Sequence, residues 1–137
     1  MTVTTRLDSA VHGEVSVGSV LAFTRRYTAA EVLEFYRLGG ADLAEAPAHL
    51  PYLLTIAPLT KLGGDLNYLS GRMDWSVTRP VGAEEAVTAE LEVTRLEAAD
   101  GMAKISFDAR LKCGDEIVVT GRSKGFAIPG EGLDVIA

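Results

Sequence analysis

The sequence predicts an α+β domain in which a central apolar helix is covered by an antiparallel sheet. The segment at about 52–62 is apolar on nearly every side of a helical projection, which is typical of a buried helix. The C-terminal half alternates apolar and polar residues over long stretches, as in an antiparallel sheet with one face on a core. Because the helix needs cover and the sheet has an apolar face to bury, the two are expected to pack together.

The N-terminal elements carry their own start and stop signals. Residues 14–23 alternate apolar and small side chains and are predicted to be extended, with a turn at Gly18. Thr28 and Glu31 have the spacing of a capping box, so a first helix is expected to begin at Thr28. The pair Gly39-Gly40 is expected to end that helix.

Glycine and proline punctuate the elements that follow. Pro58 is expected to bend the apolar helix or to mark its start, and Gly63-Gly64 to end it. Turns are predicted at 99–101 and at Gly114-Asp115. The remaining segments are predicted to form a meander of strands at 73–79, 87–93, 103–113 and 116–128.

Composition and charge restrict the kinds of partner. With 137 residues, 47% of them hydrophobic, the chain predicts a loose arm at 1–12 and a single domain at 13–137. The net charge of -6 argues against nucleic acid or an anionic membrane as the main partner. Cys113 is the only cysteine, which excludes a disulfide within the chain and fits a cytoplasmic protein. Because there are only two histidines besides, we expect no metal. The sequence has no P-loop and no G-x-G-x-x-G motif, and we expect no cofactor.

Several segments then resemble one known family. The stretch GSVLAFTRRYTAAEVLEFYRL at 18–38 resembles the opening strand and threonine-capped helix of MaoC-like hydratases, and GGAD at 39–42 resembles the SGD that ends their helix. The stretch MDWSVTRPVGAEEAVTAELEVTRLE at 73–97 resembles the family's F-x-x-P-V-x-x-G-D strand and the strand after it. The resemblance covers 13–128 and implies the hotdog fold, in which an antiparallel sheet wraps a central helix.

The resemblance also implies a chemistry. MaoC-like enzymes hydrate 2-enoyl thioesters or dehydrate 3-hydroxyacyl thioesters, and an aspartate and a histidine move the proton. On this resemblance Asp42 and His49 are the catalytic acid and base. The substrate is an acyl-CoA or acyl-carrier-protein thioester that enters between the subunits of a homodimer, or of a heterodimer with another hotdog subunit. The side chains expected to bind substrate are those of Tyr52, Thr55, Tyr68 and Trp75.

The catalytic segment departs from the family pattern, and the departure leaves three alternatives open. LAEAPAH stands where the family has x-N-P-x-H, so His49 lies seven residues after Asp42 instead of five. Ala48-His49-Leu50 also resembles the A-H-G step that precedes the family's central helix, and on that alignment the catalytic loop is deleted. The alternatives are a hydratase or dehydratase, a non-catalytic hotdog subunit or acyl-binding module that partners a catalytic subunit, and a hotdog thioesterase. The thioesterase is disfavoured because 52–62 has no acidic residue, which leaves Asp42 or Asp65 to activate water.

Overall fold

The structure, a computed structural model, describes residues 4–137 and confirms the predicted α+β architecture. An apolar helix, α2, packs against one face of a five-stranded antiparallel sheet, and a shorter helix, α1, precedes it. A second sheet of three short strands lies beside the first. In chain order the elements are β1 (Arg6–Ser9), β2 (Gly13–Val15), β3 (Val20–Arg25), α1 (Ala29–Leu38), α2 (Tyr52–Gly64), β4 (Tyr68–Val77), β5 (Val87–Ala99), β6 (Met102–Cys113), β7 (Glu116–Ala127) and β8 (Leu133–Ile136).

The order of strands in the large sheet is β3-β5-β6-β7-β4, which is not the simple meander predicted from the sequence. The strands β5, β6 and β7 do form consecutive hairpins, with turns at Asp100-Gly101 and at Gly114, where the backbone takes positive φ angles. Strand β4 lies instead at the far edge beside β7, pairing Tyr68 with Ala127. The chain forms one edge of the sheet with β3, passes through α1 and α2, and returns at the opposite edge as β4.

The helix α1 begins and ends where the sequence predicts. The side chain of Thr28 accepts a hydrogen bond from the Glu31 backbone N–H at 3.1 Å, and the Glu31 carboxylate accepts one from the Thr28 N–H at 3.0 Å. This reciprocal pair satisfies two backbone donors that the first turn of a helix leaves free. Gly40 follows the helix with φ +95°, a conformation that side chains with a Cβ adopt rarely.

The helix α2 runs two residues further than predicted, through Gly63-Gly64. The ring of Tyr68 packs over Gly63, and a Cβ at Gly63 would lie 3.3 Å from Tyr68 Cδ2. A glycine at this helical position therefore leaves room for the ring. Pro58 lies inside the helix and is buried, so it does not mark the helix start. The buried residues of this helix are Thr55, Ile56, Pro58, Leu59, Leu62 and Gly63.

The N-terminal segment is not the loose arm that the sequence suggested. Leu7 in β1 is fully buried, and it pairs with Val15 of β2 on one side and with Val135 of β8 on the other. Beyond β1, His12 Nε2 lies 2.9 Å from a carboxylate oxygen of Asp65, just past the end of α2. The strands β1 and β8 have only four residues each, too few for an alternating pattern to be recognised. Residues 1–3 of the expected arm lie outside the described residues.

Strand β4 forms an edge of the large sheet and exposes side chains on both of its faces. This is why the sequence pattern placed its start at 73 instead of Tyr68, since no alternation marks the first residues. A β-bulge between Ser70 and Arg72 interrupts the pairing with β7 as well. Among residues 4–137, neither helix is long and apolar enough to cross a membrane.

Candidate functional site

A cavity of about 520 Å³ lies at the N-terminal end of α2 and contains His49. His49 is exposed, and its backbone forms an isolated antiparallel bridge with Gly82, which fixes the segment before α2 against the 80–82 turn. Two of the side chains expected to bind substrate, Tyr52 and Thr55, line the same cavity. The remaining lining residues are Tyr36, Leu50, Pro51, Val77, Thr78, Arg79, Pro80 and Val81.

The N-terminus of α2 is uncapped where it borders this cavity. The N-cap residue is Pro51, no side chain of the described residues caps the helix, and the first turn contains no acidic residue. The N–H groups of a helix's first turn have no partner within the helix and carry a partial positive charge. Free donors at this position suit an anion or a developing oxyanion.

The one guanidinium in the cavity wall is already engaged. Arg79 donates to a Glu85 carboxylate oxygen at 2.7 Å and to Glu116 at 3.1 Å. The hydrogen bonds from Arg79, with one from the Gly82 N–H, lower the pKa of Glu85 to about 2. Since Arg79 is held by two carboxylates, and that of Glu85 remains ionised near neutral pH, we regard this cluster as a support of the cavity wall and not as a free anion site.

Asp42 does not line the His49 cavity in the part of the chain that the structure describes. It is exposed in the loop between α1 and α2, it is not among the residues that line the His49 cavity, and its carboxylate accepts no hydrogen bond from residues 4–137. Cavity-lining side chains therefore include His49, Tyr52 and Thr55 of the predicted site, but not Asp42.

A second cavity, of about 190 Å³, lies further along α2 and contains the other two predicted residues, Tyr68 and Trp75. Its walls are mostly apolar, and three hydroxyl side chains form a connected group on one side. Tyr68 Oη and Ser123 Oγ share a hydrogen bond of 2.6 Å, and Ser70 Oγ lies 3.3 Å from Ser123 Oγ. The other lining residues are Ile56, Leu59, Thr60, Gly63, Gly64, Met73, Leu91 and Phe107.

Sequence reasoning missed Ser70 and Ser123, although β7 carries a signal. Ser123 is only 7% exposed and shares the inner face of β7 with Gly121 and Gly125. Gly121 leaves room for the ring of Trp75, because a Cβ at Gly121 would collide with that ring. A run of small residues at inward positions therefore marks a space beside β7.

Cys113 has the wrong environment for a nucleophile. Burial, and then a hydrogen bond with Glu85, raise the pKa of its thiol to about 11. At neutral pH the thiol stays protonated, and a protonated thiol does not attack a thioester efficiently. We therefore regard Cys113 as a small residue at the end of β6 and not as a catalytic group.

Comparisons of structure identify the fold as a hotdog. An (R)-hydratase from A. caviae involved in PHA biosynthesis is similar with a TM-score of 0.67 at 24% identity, over 84% of this chain and 98% of that one. A MaoC-like dehydratase from Rhodospirillum rubrum is similar with a TM-score of 0.61 at 14% identity, over 85% and 94% of the two chains. The HadBC (3R-hydroxyacyl-ACP dehydratase) complex from Mycobacterium tuberculosis is similar with a TM-score of 0.58 at 13% identity, over 80% and 96%.

These likenesses confirm that the chain has the hotdog fold of MaoC-like dehydratases and R-hydratases. No protein-family model matches the sequence, and no curated protein matches it either. Because one fold supports many activities, the fold alone does not assign a function, which depends on the side chains that line the cavities.

Proposed function

We propose that this chain adds water to 2-enoyl thioesters or removes it from 3-hydroxyacyl thioesters, with His49 as the acid/base residue. The observation that carries the proposal is the cavity at the start of α2, which is lined by both His49 and an uncapped helix N-terminus. The reaction needs a base for the water and donors for the oxyanion, and these two groups supply them. The solved structures of similar fold that are named as hydratases and dehydratases support the same class of reaction.

The proposed reaction follows from where charge develops. In the hydration direction, the His49 imidazole takes a proton from water as the oxygen forms its bond to the β-carbon of the enoyl thioester. The π electrons move to the thioester oxygen, and the free N–H groups at the start of α2 stabilise that enolate. Return of the proton from the imidazolium to the α-carbon completes the addition, and dehydration runs through the same steps in reverse.

Asp42 remains a predicted partner of His49 in this scheme. Its exposed position in a loop is compatible with a role only if the loop brings its carboxylate to the cavity when substrate binds. Because Asp42 is not among the residues that line the His49 cavity, a second candidate function is a non-catalytic hotdog subunit that binds an acyl group beside a catalytic partner. The similar structure of a two-component dehydratase complex supports that candidate.

In either case a second hotdog subunit is the proposed partner. Strand β4 has a free edge, and its large side chains Leu69, Met73 and Val77 are 61%, 47% and 50% exposed. Leu53 of α2 is 60% exposed, and Tyr52, which lines the His49 cavity, is exposed beside it. Because exposed apolar side chains on a strand with one free edge favour association, we propose that a second subunit, identical or homologous, covers this surface.

The test is an assay with two readouts on purified protein. Crotonyl-CoA, a longer 2-enoyl-CoA and the same acyl chains on an acyl-carrier protein are followed by enoyl absorbance and by release of free thiol. Loss of enoyl absorbance without thiol release is the expected result. His49→Ala should abolish it, and Asp42→Asn should abolish it if the predicted dyad is correct.

Glu45→Gln is the matched control, because Glu45 is another exposed carboxylate of the same loop. Activity that survives in His49→Ala would contradict the proposed mechanism. Thiol release would identify a thioesterase instead. Binding of acyl thioester without turnover on either carrier would favour the non-catalytic subunit.

A further inference from the structure

The second cavity combines apolar walls with a hydroxyl group cluster that an ordinary acyl chain does not need. Its apolar lining includes Leu59, Trp75 and Phe107, which suits a hydrocarbon chain. The hydroxyl cluster, defined as Tyr68, Ser70 and Ser123, lines the same space. Polar groups that face a hydrocarbon chain lose hydrogen bonds to water without replacement, which costs free energy.

The hydroxyl cluster is held firmly by its surroundings. The ring of Tyr68 meets the ring of Phe107 edge-on at a centroid separation of 5.1 Å, and a Cβ added at Gly63 would lie 3.3 Å from Tyr68 Cδ2. Its hydroxyl is fixed by the 2.6 Å hydrogen bond to Ser123, which is almost completely buried on β7. The polar group is therefore preorganised, and a ligand does not have to order it.

The hydroxyl cluster can either donate a hydrogen bond to a ligand or accept one from it. Each hydroxyl has one proton and two lone pairs. When Ser70 donates to the Arg72 carbonyl oxygen, at 3.4 Å, Ser123 donates to Ser70 and Tyr68 to Ser123, so Tyr68 Oη keeps a lone pair for a ligand. When the chain reverses, Ser70 donates to Ser123 and Ser123 to Tyr68, and the Tyr68 proton is available to a ligand.

We infer that this cavity binds an acyl chain that carries an oxygen substituent, a keto or hydroxyl oxygen, which hydrogen-bonds to the Tyr68-Ser70-Ser123 cluster. Treating the ligand as an acyl chain rests on the proposed function, whereas the preference for oxygen rests on the cluster alone. A site built to hydrogen-bond a ligand oxygen discriminates strongly against the analogue that lacks it.

The position of the two cavities sets where the oxygen lies. On α2, Thr55 lines the first cavity and Ile56 the second; on β4, Val77 lines the first and Trp75 the second. The two cavities therefore follow each other along α2 and β4. From Thr55 to Gly63 the helix rises about 12 Å, at about 1.5 Å per residue. The recognised oxygen therefore lies several carbons from a thioester bound at His49, near the far end of a medium-length chain.

The chain contains one tryptophan, and because Trp75 lines the second cavity its fluorescence reports ligand binding there directly. The probes are saturated acyl thioesters of N-acetylcysteamine, from butanoyl to decanoyl, each paired with its analogue that has a keto oxygen on the penultimate chain carbon. Saturated probes without CoA require neither turnover nor a particular carrier. A failure of the enoyl assay therefore leaves this test unaffected.

We expect the keto analogue of one chain length to bind about tenfold more tightly than its saturated partner, the value of one good hydrogen bond. Tyr68→Phe and Ser123→Ala should each remove the preference for the keto analogue, because each takes a hydroxyl away from the cluster. Thr60→Val is the matched control, because Thr60 lines the cavity but shares no hydrogen bond with the cluster among the described residues. Circular dichroism of each variant checks that it is folded.

Equal affinities for keto and saturated probes would overturn the inference, as would a preference that survives in both Tyr68→Phe and Ser123→Ala. An absence of any fluorescence change with every probe would overturn it as well. In those cases the hydroxyl cluster serves only to hold β4 on β7.

Discussion

Gly125 allows β4 to approach β7 closely, and its substitution tests how the cavity wall is held. A Cβ at Gly125 would lie well under 3.0 Å from the Leu69 carbonyl oxygen, a separation that real Cβ atoms essentially never have. The obstacle is the backbone of β4, so the whole strand has to move. Overpacking costs about 1–3 kcal/mol, and each lost ladder hydrogen bond adds about 1 kcal/mol. We therefore expect Gly125→Ala to lower the free energy of unfolding by about 3 kcal/mol.

The assay is equilibrium unfolding in urea followed by the fluorescence of Trp75, which belongs to β4 itself. Gly64→Ala is the control, because a Cβ there meets nothing within 4 Å and the residue is helical. This control should be stabilising by up to about 1 kcal/mol, since alanine loses less backbone entropy than glycine. A change of less than about 0.5 kcal/mol in Gly125→Ala, the range of ordinary surface substitutions, would refute the close packing of β4 on β7.

Two further predictions concern charged contacts. The pKa of Glu85 is about 2, below its ordinary value of 4.5, because Arg79 donates to it; its contribution to stability is therefore complete above pH 4.5 and is lost as the pH falls to about 2. Glu85→Gln should remove this part of the acid dependence in an acid titration of unfolding, whereas Glu34→Gln, at an exposed position on α1, should retain it. His12→Ala removes the contact with Asp65 that ties the N-terminal sheet to the end of α2. Amide exchange in β1 should become faster than in the wild type while exchange in β6 stays the same, and unchanged exchange in β1 would contradict this role.

The parts of the fold that the sequence predicted are those in which adjacent residues determine the structure. Thr28 and Glu31 cap α1 through contacts within one turn, and the positive φ angles at Asp100 and Gly101 close a hairpin between neighbouring strands. The position of β4 was not predictable in this way. Its place beside β7 depends on pairs such as Tyr68 with Ala127, which are far apart in the sequence, and no local pattern encodes them.

The candidate site was predictable to a similar extent. Four residues were predicted to bind substrate as one group, but Tyr52 and Thr55 line one cavity, whereas Tyr68 and Trp75 line the other. The role of Ser123 in that cavity was not visible, because its partner Tyr68 is 55 residues away and a serine in a strand is usually a surface residue. Asp42 was selected because GGAD at 39–42 resembles the SGD of MaoC-like hydratases, and a short motif does not determine which side chains its aspartate meets in space.

The strand order also has a kinetic consequence. The hairpins β5–β6 and β6–β7 close short loops, whereas Leu21 of β3 must find Leu91 of β5 with both helices in between. Strand β4 must likewise find β7 across the two long strands between them. Because closing longer loops costs more entropy, we expect the two edge strands to join a preformed three-stranded centre late in folding and to detach from it first. Strand β4 supplies Val77 to one cavity and Trp75 to the other. A ligand bound in either cavity is therefore expected to stabilise the attached state of β4 and to make its detachment rarer.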